Sequence, residues 1–218
     1  MTKEQRDVLL FHIAFAILAA IGLLLPFASL GLRILVLVVI YNLALPTFAH
    51  LSGYPQVSKL WIFLAPISLM MIFPDWFLAG KLHVLVFPQT GAPSIGPIPI
   101  FMAGMWIIPL FIILYLGEQV ENSFNRTSAL IAVALLSLIT FVSSEATLWA
   151  VPIWYAQNVT QIGHVALYVI VPEILFGLSV YLSYRITENK NWQTRLLAAY
   201  VIMVLYLGNL SLFYLLME

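Results

Sequence analysis

The polar residues of this chain fall into short clusters, and between the clusters lie seven almost wholly apolar runs. They lie near residues 8–29, 32–50, 57–75, 97–117, 127–149, 163–184 and 196–217. A helix rises 1.5 Å per residue, so about 20 residues match the ~30 Å hydrocarbon core of a bilayer. The pattern predicts an all-α integral membrane protein, a bundle of seven transmembrane helices forming a single domain over residues 1–218. Turn residues punctuate the breaks: Pro26 and Gly31, Gly53 and Pro55, Gly91-Ala92-Pro93, Asn122 to Arg126, Pro152, and Glu188-Asn189-Lys190-Asn191. The first run is too long for a signal-peptide core and leads straight into another span, so it reads as a retained helix. One connection is long, Trp76 to Gly96. Its apolar, proline-broken "LHVLVFPQTGAP" predicts a segment that dips into the bilayer or caps the bundle.

Composition narrows this further. Hydrophobic residues make up 63% of the chain and charged ones 8%, with a mean hydropathy of +1.04; a soluble domain carries about 25% charged residues. Nine basic and nine acidic side chains form no basic patch, which argues against nucleic acid as a partner. The absence of cysteine excludes disulfides, thiolate catalysis and cysteine-held metals. With the N-terminus inside, Lys3, Arg6, Lys59, Arg126, Arg185, Lys190 and Arg195 face the cytoplasm, whereas only Arg33 and Lys81 face out. That bias predicts an inside N-terminus and an outside C-terminus. Trp61, Trp76, Trp149, Trp154 and Trp192 fall near span ends, as an aromatic belt does; Trp106 sits about nine residues into the fourth span.

Against this background the acids within the spans stand out, because an ionisable group there costs about 2.5–3.5 kcal/mol or more and usually faces a cavity or partner. Asp75 and Glu145 come about 18 residues after the third and fifth spans enter, near the outer interface. The sixth span runs inward, with His164 at its rim and Glu173 roughly mid-membrane. Ser137, Thr140 and Ser144 lead along one helical face to Glu145; Glu173, Gly177 and Tyr181 share another face. The four groups Asp75, Glu145, His164 and Glu173 are therefore expected to line one pocket opening toward the outer leaflet. The bland readings are a solvated span end for Asp75, headgroup contact for Glu145, an interfacial His164 and a buried structural hydrogen bond for Glu173. Asn42 and Asn209 are expected as interhelical links. Glu118 and Glu121, at the cytoplasmic end of the fourth span, are expected to be solvated, and His12, His50 and His83 receive no role.

An internal likeness runs through the middle of the chain. The third and fifth spans each end in an acid (Asp75, Glu145), followed by an aromatic, proline-containing connection, then Ile-Gly (Ile95-Gly96, Ile162-Gly163), then an inward helix with a proline (Pro109, Pro172). The Gly-to-Pro spacings are unequal. Two prolines in matching spans predict two interrupted, kinked helices with room for an elongated apolar ligand.

Pro172-Glu173-Ile174-Leu175-Phe176, preceded by Glu145, Trp149, Trp154 and Gly163, resembles the motif of the membrane lycopene cyclase domain. "SIGPIPIFMAGMWIIPLF" is similar to a stretch of the membrane carotenoid hydratases. Ile174 stands where the cyclase pattern has a second acid. The resemblance spans Asp75 to Tyr181; the alternative is an uncharacterised membrane family that shares only the scaffold. It implies cofactor-independent cyclisation or hydration of an isoprenoid or carotenoid in a cell membrane or an internal photosynthetic membrane. Such chemistry begins by protonating a carbon–carbon double bond, with a carboxylic acid that keeps its proton in a desolvated site. Glu173 is then the general acid, with Glu145 or Asp75 accepting a proton or positioning water. His164, Trp106, Trp149 and Tyr168 line the substrate path, the aromatic faces stabilising the cation.

The competing reading is a non-catalytic lipid- or pigment-binding protein, or a subunit of a membrane complex, with self-association left open. A proton-coupled transporter ranks last, because the cytoplasmic halves of the third, fifth and sixth spans are nearly acid-free. No metal-ligand spacing and no phosphate loop is present, and no cofactor is expected. The last span has no lysine to carry retinal.

Overall fold

A computed structural model describes residues 1–147 and 150–218. Its helices are α1 (Lys3–Leu24), α2 (Leu30–Ser52), α3 (Pro55–Met70), α4 (Ile72–Phe77), α5 (Met102–Met105), α6 (Ile107–Ser123), α7 (Arg126–Ala146), α8 (Leu167–Thr187) and α9 (Trp192–Met217). α4 continues α3 and α6 continues α5, which gives seven rods long and apolar enough to cross a membrane. The chain is an all-α, multi-pass membrane protein.

Side-chain caps begin three of the rods. Thr2 and Gln5 form a reciprocal capping box on α1. Asn125 accepts from the Ser128 N–H at 2.9 Å on α7, and Asn191 accepts from the Thr194 N–H at 3.0 Å on α9. The caps draw the polar first turns into the helices, so α1 starts at Lys3 and α9 at Trp192, earlier than hydropathy predicts. α2 ends where Gly53 takes the left-handed conformation (φ 70°) and the Tyr54 N–H returns to the Ala49 carbonyl at 2.9 Å.

The two broken rods break for one reason. Pro74 has no N–H for the carbonyl of Met70, and Pro109 has none for that of Met105. Each proline lies three residues past a non-helical residue, Met71 or Trp106, and so sits in the first turn of the helix that follows, where proline is tolerated. The third rod therefore does not stop at Asp75. It resumes as α4, loosens into a π-helical turn over Leu78–Leu82 and ends at His83 (φ 56°). The expected interruption of both proline-bearing inward helices holds for the fourth span only, since α8 runs unbroken through Pro172.

The fourth and sixth spans begin at Met102 and Leu167, later than residues 97 and 163, because a tight β-hairpin precedes each. In one, β2 (Ser94–Ile95) pairs with β3 (Ile98–Pro99); in the other, β5 (Gln161–Ile162) pairs with β6 (Val165–Ala166). Gly96 (φ 60°) and Gly163 (φ 63°) open the two-residue turns, a backbone conformation that other residues adopt only with strain. A further antiparallel pair joins the two long connections, β1 (Leu85–Val86) to β4 (Tyr155–Ala156), with Leu85 opposite Ala156. The Trp76–Gly96 connection thus caps the bundle.

The core lies among α3, α6, α8 and α9, where Leu60, Phe63, Leu110, Phe176, Tyr184 and Ile202 are buried. α7 turns Ile131, Leu135 and Ile139 outward, one apolar stripe at helical spacing. α1 buries only Val8.

At the end of α6 remote from the hairpins, Glu118 is not solvated as expected. It is buried, accepts from Gln56 Nε2 at 2.7 and 2.8 Å, and lies 3.6 Å from Arg185. Arg185 also pairs with Glu121 at 3.0 Å and Glu188 at 3.0 Å, and Tyr181 donates to Glu121. A charge that leaves water needs partners, and α3, α6 and α8 supply them from distant parts of the chain. His12, given no role from sequence, hydrogen-bonds through Nδ1 to the Val8 carbonyl (2.8 Å) and through Nε2 to the Tyr41 hydroxyl (3.0 Å). Asn42 links rods as expected, donating to the Gly104 carbonyl at 3.1 Å and accepting from Trp61 Nε1 at 3.3 Å.

Candidate functional site

At the hairpin end of the bundle α4, α5, α6, α7, α8 and α9 line a cavity of about 320 Å³. Asp75 from α4, Glu145 from the last turn of α7 and Glu173 from the second turn of α8 all line it. Each is at least nine-tenths buried. The convergence of these three acids, expected from their depths in separate spans, is present in the structure. His164 does not join them: it is the exposed second residue of the β5–β6 turn, because the sixth helix starts three residues after it. Trp106 and Tyr168 line the cavity; Trp149 lies outside the described residues.

Strand register explains how Glu145 is held. In a two-residue hairpin closed by Ile162 and Val165, the next pair, Gln161 and Ala166, is of the non-hydrogen-bonded kind. The bond resumes one step on, where the Leu167 N–H reaches the Thr160 carbonyl at 3.0 Å. The Ala166 N–H therefore points away from its partner strand. Glu145 Oε2 accepts it at 3.1 Å, so one carboxylate oxygen satisfies a buried donor that the hairpin cannot.

The first hairpin solves the same problem differently. Its residue at that register position is Pro99, opposite Ser94, and proline has no N–H to satisfy. Asp75 thus has no backbone donor from β3. It accepts instead from Trp106 Nε1 in a long hydrogen bond of 3.4 Å. Trp106 sits at the α5–α6 break, and its indole lines the cavity.

Glu173 accepts no hydrogen bond among the described residues, and it lies within electrostatic reach of both Glu145 and Asp75. Its helix is brought close by Gly177, whose missing side chain leaves room for Ser137 of α7; a Cβ there would overlap the Ser137 hydroxyl and come within 3.0 Å of its Cβ. Just before Glu173, Pro172 leaves the Tyr168 carbonyl without its helical partner. Among the described residues the cavity wall carries no Lys, Arg or His. Among the described residues no set of three or more His, Asp and Glu side chains comes together as metal ligands.

Aromatic rings fill the spaces between the acids. Trp106 meets Phe141 at 5.7 Å between centroids, Phe176 at 5.6 Å and Tyr206 at 6.1 Å, and Phe176 stacks on Tyr206 at 4.5 Å. Tyr168 from α8 and Tyr206 from α9 both line the cavity with the acids. Leu85, Phe87, Trp154 and Ala156 cover the cavity from the connections. Sequence reading missed Tyr206 and Phe141. The signal for Tyr206 is the stripe Ala199, Ile202, Tyr206, Leu210 on α9, all buried; it is hard to see because the lipid-facing residues of that helix are equally apolar.

An apolar molecule held here meets carboxyl groups from three helices together with aromatic rings, an arrangement that moves protons and tolerates developing positive charge. No curated protein and no solved structure matches the chain. Residues 72–217, about two-thirds of the chain and everything from α4 to the end of α9, match the family model described as a domain of unknown function, DUF6989. The cavity acids and their aromatic neighbours all fall within that match, and the chain belongs to the DUF6989 family.

Proposed function

We propose that this protein is a cofactor-independent enzyme that protonates a carbon–carbon double bond of an isoprenoid, of the carotenoid class or a shorter relative, and releases a cyclised or hydrated product. The observation that carries the reading is that Asp75, Glu145 and Glu173 line one aromatic-rich cavity with no basic residue on its described wall. Glu173 is the general acid, being the one of the three without a hydrogen-bond donor on it. Its proton adds to the alkene and leaves a tertiary carbocation, which the faces of Trp106, Tyr168 and Tyr206 stabilise. In cyclisation, the electrons of a second double bond form the new carbon–carbon bond, and Glu145 or Asp75 removes a proton from the adjacent carbon to restore an alkene. In hydration, water adds to the cation and the same carboxylate takes its proton. Either way the proton count closes without a redox partner.

The proposed orientation has the N-terminus in the cytoplasm, which sets the cavity in the outer half of the membrane. The capped starts of α1, α7 and α9 at the opposite end, beside Arg126 and Arg195, support it. A two-span internal repeat is part of the same proposal. It is supported by matched acids, matched Ile-Gly hairpins and the antiparallel joining of β1 to β4, the strands at corresponding places in the two halves.

A second reading, a lipid- or pigment-binding protein without chemistry, is favoured by the structural bonds that two of the acids already make. One experiment separates the two. Membranes containing the protein are incubated with lycopene, squalene or geranylgeraniol in deuterated water, and products are read by mass spectrometry. The enzyme reading expects an isomer or hydrate with carbon-bound deuterium, lost in Glu173→Gln. Unchanged alkenes with wild type, together with an intact lipid that co-purifies with both forms, would establish the binder instead.

A further inference from the structure

We infer that the substrate is a linear polyprenyl chain that enters sideways from the bilayer and lies along α6, with its reacting end among the acids and its tail under α1; this rests on the reading above. A second cavity, of about 400 Å³, lies between α1 and α6, lined by Gln5, Val8, Leu9, His12, Tyr115 and Leu116 among others. Ile112 lines both cavities. The first takes Met105, Ile108, Pro109 and Ile112 from this rod, and the second takes Ile112, Tyr115, Leu116 and Gln119. The two spaces are therefore consecutive stretches of one helical face, about 20 Å long at 1.5 Å per residue.

That face is open where a buried rod would be closed. Met105, Ile108, Pro109 and Ile112 are only half-buried, and Leu116 is exposed. The cap formed by Leu85, Phe87 and Trp154 covers the aqueous end of the acid cavity. α1, the second wall, is not packed down as a core helix. It is held by a few rings, Phe11 on Phe48 at 5.0 Å, Phe15 on Tyr41 at 4.8 Å and His12 on Phe111 at 5.4 Å, and by polar pins: Gln5 to Gln119 at 2.7 Å, the Tyr54 hydroxyl to Asp7 at 2.7 Å, and His12 to Tyr41 at 3.0 Å. Between the pins an apolar slot remains, walled by Val8 and Leu9 on one side and Phe111 and Leu116 on the other.

Its continuity with the acid cavity selects the occupant. A protein helix would fill the slot without bringing an alkene to the carboxylates, whereas an acyclic run of isoprene units suits an apolar slot that adjoins the acid cavity at Ile112 and presents an alkene at its end. Ile112 is then a specificity-determining residue, a gate that a short chain need not pass.

The test uses the full-length protein in nanodiscs with a photoreactive geranylgeraniol carrying a diazirine at the tail end. Label is expected on α6 near Leu116 and on α1 near Leu9. Competition by unlabelled geranylgeraniol should weaken about tenfold in Ile112→Trp, while competition by geraniol, probed with a photoreactive geraniol, stays within about twofold by the same measure. Leu116→Trp, at an exposed position, should act the same way and guards against misfolding of the first variant. Label confined to outward faces such as Ile131, Leu135 and Ile139, or unchanged long-chain competition in both variants, overturns the inference. Glu173→Gln keeps the labelling. Groove labelling without turnover in the wild type would sink the catalytic reading and leave the slot standing.

Discussion

The bond between Glu145 and the Ala166 N–H can be tested apart from any chemistry. Ala166 is buried, ends the β5–β6 hairpin and precedes the first residue of α8, so its amide has neither a ladder partner nor water. Glu145→Leu leaves that donor unsatisfied, at a cost of about 1–3 kcal/mol. Extra apolar burial by leucine offsets part of this in global stability, of order 1 kcal/mol. The decisive readout is therefore local: amide hydrogen exchange at Ala166, measured in detergent micelles. Because 1.4 kcal/mol is tenfold, exchange at Ala166 should accelerate roughly tenfold to a hundredfold in Glu145→Leu. Glu145→Gln keeps an acceptor oxygen in place, and its exchange should stay within about threefold of wild type by the same conversion. If leucine and glutamine give the same exchange rate at Ala166, the carboxylate does not hold the hairpin, and the account of why this acid sits at this register is wrong.

Other consequences follow from the same contacts. Gly177→Ala should overpack the α7–α8 crossing by about 1–3 kcal/mol, lowering the thermal midpoint by roughly 2–4 °C per kcal/mol; Ser137→Gly in the same chain should recover most of the loss, and a double mutant no better than the single refutes the contact. Arg185→Met strands Glu118 and Glu121 without their cation and should cost about 3 kcal/mol, read as a fall in thermal midpoint that Glu118→Gln partly reverses. Trp106→Phe removes the donor to Asp75 while keeping a ring face; it should cost about 1 kcal/mol and slow deuterium incorporation less than Glu173→Gln does. Wild-type midpoints in Trp106→Phe together with wild-type turnover would detach Trp106 from the site.

What the chain by itself determined is the solvent it folds in. Seven apolar runs and an 8% share of charged residues leave no other medium, because in lipid every backbone group must be bonded internally and helices achieve that locally. That Asp75, Glu145 and Glu173 lie toward one end of the bundle was also legible, since a fixed rise per residue counts them along their runs; the rod ends were not, because the third rod continues past Asp75 to Leu82 and α8 starts only at Leu167. Azimuth was not. In a helix apolar on every side, hydropathy does not distinguish the lipid face from the core face, which is why Tyr206 and Phe141 were missed. Nor does hydropathy tell a short apolar hairpin from the first turn of an apolar helix, so His164 was placed on a rod when it sits on an exposed turn. The ion cluster that Arg185 forms around the buried Glu118 and the tether from Glu145 to Ala166 join residues far apart in sequence. Only the tertiary structure decided those, because a polar group in a membrane takes its partner from whichever segment packing brings within reach.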